Sequence, residues 1–205
     1  MNQQAKRIKE LFGYARTLTK EQGIGTMCVR AAGFFKRRFF GKRARYWPSN
    51  MALEAQRSDP AAETFPIISI LTPLYNTPQQ FLVELLDSVQ NQTYRNWELC
   101  CVDAGTAPGV GEMVQQRAAV DPRIRYRKLE KNELIPGNTN KGIEMATGDF
   151  IALLDHDDIL HPCALWYAAK AIAEQGADFV YTDEATFEGK VENVVLYHFK
   201  PDFML

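Results

Sequence analysis

The sequence predicts an α/β fold: a mostly parallel, doubly wound sheet with helices on both faces, preceded by a basic helical arm. Two observations point to the sheet. Short β-branched runs alternate with stretches of helical period, as in successive βαβ units. Three of the runs end directly in acids, at Asp103, at Asp155-His156-Asp157-Asp158 and at Asp183-Glu184, and ligands of such sheets bind beyond the carboxyl ends of the strands. A third observation, the distribution of charge, separates the arm from the body. The net charge of −1 divides into about +10 over residues 1–47 and about −11 over 48–205.

The arm comes first. Ile8, Leu11, Phe12, Ala15 and Leu18 recur at helical spacing, with Lys6, Arg7, Lys9 and Arg16 on other faces. A second stretch interleaves Phe34, Phe35, Phe39 and Phe40 with Lys36, Arg37, Arg38, Lys42 and Arg43. Two readings fit it equally: an anchor on an anionic membrane surface, with aromatics in the interface and cations on the headgroups, or a helical pair packed on the body. Nucleic acid is not the expected partner. An exposed apolar arm is equally compatible with a homodimer. Residues 48–65, with Pro48, Ser49, Asn50, Ser58, Asp59 and Pro60, read as a linker.

The body, 66–205, then alternates. Ile67–Leu71 is a strand, and Phe81, Leu82, Leu85, Leu86 and Val89 trace a helix. Leu99–Val102 is a second strand, followed by a helix through Val110, Met113, Val114 and Ala118. Ile124 and Tyr126 mark a half-buried strand, and a short helix ending in Ile143–Ala146 is stopped by Gly148. Phe150–Leu154 is the strongest strand signal. After it, a helix starts near Ile159, runs through Leu165, Trp166, Ala169 and Ile172, and stops at Gly176, and Phe179–Tyr181 closes the series as a strand.

Other classes are excluded. The longest uncharged stretch, Thr64–Val83, is broken by Pro66, Pro73 and Pro78, so it is no membrane span. No charged and apolar leader with a cleavage site opens the chain, and Cys28, Cys100, Cys101 and Cys163 form no CxxC pair, so buried thiols in the cytoplasm are expected. Peripheral attachment to the inner face of the plasma membrane follows if the arm is an anchor. Thr106-Ala107-Pro108-Gly109 lacks the phosphate-loop pattern and reads as a strand-to-helix turn. His156, His161 and Cys163 do not have compact zinc spacing.

The acids carry the chemistry. Asp155, Asp157 and Asp158 place three carboxylates within four residues. Hard oxygen donors at that density suit Mg²⁺ or Mn²⁺ shared with a substrate's phosphates. One of Asp157 and Asp158 is also placed to cap the following helix. The run Thr72-Pro73-Leu74-Tyr75-Asn76 offers hydroxyls, an aromatic face and an amide instead.

Four segments, ISILTPLYNTP (68–78), LLDSVQNQTYRNWELCCVD (85–103), GNTNKGIEMATGDFIALLDHDD (137–158) and YTDEA (181–185), together resemble the family 2 glycosyltransferases of the Rossmann-like GT-A fold, in particular the bacterial subset that assembles polysaccharide and cell-wall glycans. The resemblance implies transfer of a sugar, with inversion, from a nucleotide-diphosphate donor to a glycan or lipid-linked acceptor, assisted by Mg²⁺ or Mn²⁺. It implies that Thr72, Pro73 and Tyr75 line the nucleoside pocket and that Asp103 bonds the base edge. Asn138 and Lys141 would lie in the loop approaching the diphosphate. Asp155 and Asp157 match the outer positions of the DXD signature, Asp155 toward ribose or sugar and Asp157 on the metal, and an extended segment would set both on one side. Asp183 and Glu184 would face the sugar or acceptor. Many relatives carry a second acid where Ala104 stands and an Arg near Thr139. They also place the catalytic base beyond the position of Leu205, so the base falls here to Asp183 or Glu184, or the chain is a donor-binding module that transfers poorly.

Overall fold

Four strands, β1 (Ile68–Leu74), β2 (Trp97–Asp103), β3 (Ile124–Lys128) and β4 (Phe150–Leu153), lie parallel in the order β3-β2-β1-β4. The computed structural model of the chain describes residues 48–191 and 193–200. The basic arm therefore lies outside the described residues, as does the stretch 201–205. The register sets Ile68 beside Trp97 and Phe150, and Leu99 beside Ile124, so the strands begin at one end of the sheet and finish at the other.

Alternation along the strands separates two apolar layers. Ile68, Ile70, Leu74, Leu99, Cys101 and Ile124 face one way and meet three helices: α2 (Gln79–Gln90), α3 (Val110–Ala118) and α5 (Ala164–Gln175). From α2, Leu82, Leu85, Leu86 and Val89 are buried at three-four spacing, each worth about 2 kcal/mol of transfer free energy. Leu71, Cys100 and Val102 face the other way, against Met145 and the helix α4 (Leu134–Ile143), whose Gly142 lies on Leu71. Helices cover both faces, as the pattern predicts. Burial raises the pKa of the Cys100 thiol to about 11 and that of Cys101 further, so both stay protonated and inert.

Three expectations change. The segment read as a linker holds helix α1 (Asn50–Arg57), capped by Ser49, and a 3₁₀ turn at Pro60–Thr64, capped by Asp59. It packs on the body: Thr93 donates to the Gln56 side chain at 2.7 Å, and Asn96 donates to the Ala62 carbonyl at 3.2 Å. The helix expected from Ile159 begins at Ala164, because the Pro162 carbonyl is bonded to Thr93 and the His161 carbonyl to Gln92, which pin this non-helical stretch beside the end of α2 and lead into the helix through a turn at Pro162–Cys163. No carboxylate caps it. Phe179–Tyr181 is not a strand; the final strands are β5 (Glu184–Phe187) and β6 (Val194–His198), an antiparallel pair.

A buried carboxylate fixes the register at the starting end of the sheet. Glu98 Oε1 accepts from Ser69 Oγ at 2.7 Å and from the Thr147 N–H and hydroxyl, while Oε2 accepts from Arg125 Nη1 at 3.0 Å. Arg125 also donates to the Met145 carbonyl. The Gly148 N–H closes the network on Ser69 Oγ at 2.9 Å, and a Cβ at Gly148 would stand 2.7 Å from that oxygen. Burial alone would raise the carboxyl pKa; the donors from Ser69, Thr147 and Arg125 outweigh it and bring it from 4.5 to about 2.

A depressed carboxyl pKa stabilises the fold above the unfolded value and is lost on acidification. The contribution of Glu98 is therefore complete above about pH 5 and disappears as pH falls toward about 2. Urea unfolding at pH 7 should show Glu98→Gln destabilised by about 2 kcal/mol, with the gap from wild type closing as pH falls through that window. A gap that stays constant with pH would contradict the charge-based account.

Candidate functional site

The finishing ends of the four strands bring most of the candidate residues to one edge. On β1, Thr72 is buried and its hydroxyl has no hydrogen-bond partner among the described residues; the Thr77 hydroxyl just beyond is in the same condition. A buried, unsatisfied hydroxyl costs about 1–3 kcal/mol, and two of them, one near the end of β1 and one in the loop after it, leave polar capacity at this edge. Pro73 is half-buried and Tyr75 half-exposed beside them.

Asp103 ends β2 and is buried. Its Oδ1 accepts the Gly105 N–H at 2.8 Å, and its Oδ2 accepts Tyr126 Oη at 2.8 Å and Lys128 Nζ at 2.9 Å. Lys128 also donates to the Gly105 carbonyl. Burial first, and the Asp103 acceptor second, raise the Tyr126 pKa, so the phenol remains a donor. Oδ1 therefore keeps room for one further donor. Tyr126 and Lys128 were not singled out from sequence, although their period-two spacing on β3 puts both on the Asp103 side.

The β1–α2 and β2–α3 loops are locked together. Asn76 adopts a left-handed backbone, φ 50°, and its Oδ1 accepts the N–H groups of Thr106 at 2.8 Å and Ala107 at 2.9 Å. Gly105 comes so near that a Cβ would stand 2.4 Å from the Asn76 nitrogen. The stretch 106–109 is a plain strand-to-helix turn, as its sequence predicts.

Asp155–Asp158 follow β4 as a turn, closed by the Asp158 N–H on the Asp155 carbonyl at 3.2 Å. Strand alternation thus does not set Asp155 and Asp157 on one side; the turn presents both, exposed, beyond the strand. Burial first, then the charges of Asp157, Asp155 and Glu184, raise the Asp158 pKa. Glu184 is thereby within electrostatic reach of the turn. Among the described residues no three His, Cys, Asp or Glu side chains are gathered so as to hold a metal unaided. The donors nevertheless fit a hard cation that takes its remaining ligands from water and phosphate: exposed carboxylates that repel one another, opposed within the turn only by His156.

The remaining candidates are engaged elsewhere. Asn138 is buried, its amide donating to Asn132 Oδ1 at 2.9 Å and accepting the Glu133 N–H at 3.0 Å, so it shapes the entry to α4. Lys141 is bound to Glu144 at 2.7 Å. Asp183 accepts the Lys200 N–H at 2.8 Å, and Glu184 the Lys200 amine at 3.0 Å. His161 Nδ1 accepts the Cys163 N–H at 3.3 Å, at odds with a zinc ligand role for that nitrogen.

The family model described as glycosyl transferase family 2 matches residues 69–199. The uncharacterized protein y4gI of Sinorhizobium fredii is 44% identical over 141 residues, 67% of this chain and 15% of that protein. The O-antigen biosynthesis protein RfbC of Myxococcus xanthus is 34% identical over 140 residues, 67% of this chain and 11% of its own length. The chain thus spans a small part of these relatives. The structure of S. aureus TarS 1-349 in complex with UDP-GlcNAc is similar at a TM-score of 0.50 and 25% identity, over 55% of this chain and 32% of that one.

The lock between the loops is testable apart from any ligand. Asn76→Ala removes the acceptor for two N–H groups and should cost about 2 kcal/mol in urea unfolding, whereas Asn76→Asp, which keeps an acceptor oxygen, should lose less than half of that. Equal losses would mean that the left-handed backbone alone matters.

Proposed function

The chain belongs to glycosyl transferase family 2, and from that premise we propose that it binds a nucleotide-diphosphate sugar across the finishing ends of β1, β2 and β4 and transfers the sugar to a glycan or lipid-linked acceptor. One observation carries the reading. The unsatisfied Thr72 hydroxyl, the spare acceptor capacity of Asp103 and the acid turn Asp155–Asp158 occupy the same edge of the sheet. A nucleoside needs the polar contacts of the first two, and a diphosphate beside the third needs a cation.

Thr72, Pro73 and Tyr75 would bind the nucleoside, with Asp103 taking an N–H of the base. Asp155 would hold ribose or sugar, and Asp157, with Asp155 nearby, the divalent ion. Mg²⁺ or Mn²⁺, when bound, would neutralise charge developing on the diphosphate. Asn138 would act by shaping the loop before α4, and Lys141 would serve the diphosphate only after leaving Glu144.

In the proposed step the acceptor hydroxyl oxygen attacks the anomeric carbon from the face opposite the leaving group. The bond from that carbon to the diphosphate oxygen breaks, its electron pair leaving with the nucleotide, and the configuration inverts. The hydroxyl proton passes to a carboxylate, Asp183 or Glu184, both at the start of the β5–β6 pair; general-base assistance of this kind is worth about 10²–10⁴-fold. The bacterial polysaccharide relatives support a glycan acceptor. The apolar and basic composition of 1–47 supports attachment to an anionic membrane surface. Among the described residues no helix is long and apolar enough to cross a membrane.

Thermal unfolding of the chain with UDP-, GDP-, CDP- and dTDP-linked compounds, with and without Mn²⁺, tests donor binding. One nucleotide class should raise the midpoint only with the metal, since a ligand held by the folded state alone adds about 2.7 kcal/mol at a hundredfold excess over its Kd. Asp157→Ala should abolish the shift while leaving the unliganded midpoint within a few degrees of wild type. No shift with any nucleotide would overturn the reading.

A further inference from the structure

At the opposite end of the sheet, where the strands begin, lies a cleft of about 470 Å³ whose described lining is Arg57, Arg95, Arg123, Gln90, Asn91 and Gln92. Its arginines come from three separate segments: the last turn of α1, the connection before β2 and the connection before β3. None belongs to the edge that carries Asp103 and the acid turn.

The hydrogen bonds inside the cleft divide its groups into fixed and available. Arg123 is held rigidly: Nε and Nη2 donate to the two Asp121 oxygens at 2.9 and 2.8 Å, Nη1 donates to the Arg95 carbonyl at 3.2 Å, and the guanidinium lies 3.8 Å over the Trp97 ring. Arg57 gives one N–H to Glu54 at 2.7 Å. Gln90 is spent on Arg117 and Asp121, and Gln92 on Ser88, His161 and Leu165. The side chain of Arg95 is exposed and has no partner among the described residues. Carboxylates nearby already have their cations: Asp121 has Arg123, Asp87 has Arg117 and Glu54 has Arg57. One positive charge therefore stands in excess, with unspent N–H donors from three guanidiniums around it.

We propose that this cleft binds a phosphate-bearing ligand, at a site separate from the donor edge. A carboxylate is satisfied by a single guanidinium fork, whereas a tetrahedral phosphate has terminal oxygens enough for several. Three guanidiniums converging from separate segments match the second geometry. The lining contains no apolar side chain among the described residues, which suits a hydrated anion, and the stacking of Arg123 on Trp97 holds one arm of the site in place beforehand. The phosphate is that of a soluble ester or of a lipid headgroup, and the test separates the two.

The ¹⁵N-labelled chain, in EDTA, is titrated with inorganic pyrophosphate while the Trp97 indole and Arg123 Nε resonances are followed. Both should shift with saturation. Arg95→Ser should weaken that binding by about tenfold, and Arg57→Gln should weaken it too, while UDP affinity measured with Mn²⁺ stays at the wild-type value in both. Resonances that stay fixed, or equal pyrophosphate affinity in wild type and both variants, overturn the proposal. Where binding is seen, glycerol 3-phosphate and phosphatidylglycerol vesicles identify the source. A Trp97 shift with the ester alone assigns a soluble phosphate. Broadening by the vesicles, absent with phosphatidylcholine and lost in Arg95→Ser, assigns a headgroup. Neither result depends on the donor edge, so failure here leaves the transferase reading intact, and failure of that reading leaves this site intact.

Discussion

Glu98 accepts hydrogen bonds from β1, β3 and the turn before β4 while itself sitting on β2, so one carboxylate spans the whole parallel sheet. Parallel strands are joined only by long crossovers, and nothing local sets how far each is slid along its neighbour. A charge buried among donors from three directions does set it, because a slip of one residue would leave the carboxylate desolvated and unpaired, at a cost of several kcal/mol. Ser69 is a relay in this arrangement: it donates to Glu98 and accepts from Gly148, passing the constraint to the edge strand.

What is fixed at one end of the sheet sets the geometry of the other. With the starts aligned, β1 and β2 finish side by side and β4 stops beside Leu71, so that Thr72, Asp103 and the Asp155–Asp158 turn are brought to one edge although more than eighty residues separate the first from the last. The loops beyond the strands would still be free to move. Asn76 removes that freedom between two of them, and Gly105 allows it by having no side chain where the two backbones meet. The site thus rests on two polar locks, one far from it and one inside it.

Most of the sheet and its helices were legible in the sequence because burial imposes a period, and the period survives in the letters: Leu82, Leu85, Leu86 and Val89 can be read as a buried helix face without knowing what covers them. The departures occur where long-range hydrogen bonds, rather than periodicity, decide. Residues 48–65 look like a linker by composition, yet Gln56 is tied to Thr93, and nothing near either residue announces the pairing. The run Phe150–Leu154 is the strongest strand signal, and a strand forms there, but β4 stands at the margin of the described sheet with Ile151 and Leu153 exposed, a position that its apolar run does not announce. Of the site, the acids at strand ends were readable because strand ends are. The Asp103 partners Tyr126 and Lys128 were not, since a short half-buried strand, IRYRK, gives no sign of which neighbour it will meet.

The two ends of the sheet differ in charge as well as in role. Arg57, Arg95 and Arg123 lie where strands begin; Asp103, Asp155, Asp157, Asp158 and Glu184 lie where they finish. Asp103 is neutralised within the fold by Lys128, whereas no Lys or Arg among the described residues is paired with the turn, and burial first, then the neighbouring carboxylates, raise the Asp158 pKa. A nucleotide diphosphate approaching that edge would add its own negative charge to theirs. Coulomb repulsion at a few ångströms is worth about 1–4 kcal/mol per pair near a protein surface, so several such pairs outweigh the contacts a nucleoside makes on its own. On the proposed reading the acid turn would favour a diphosphate only in company with a divalent cation, which would turn each repulsion into a shared attraction. The same polarity makes the far end of the sheet the place where a phosphate could be held by protein side chains alone.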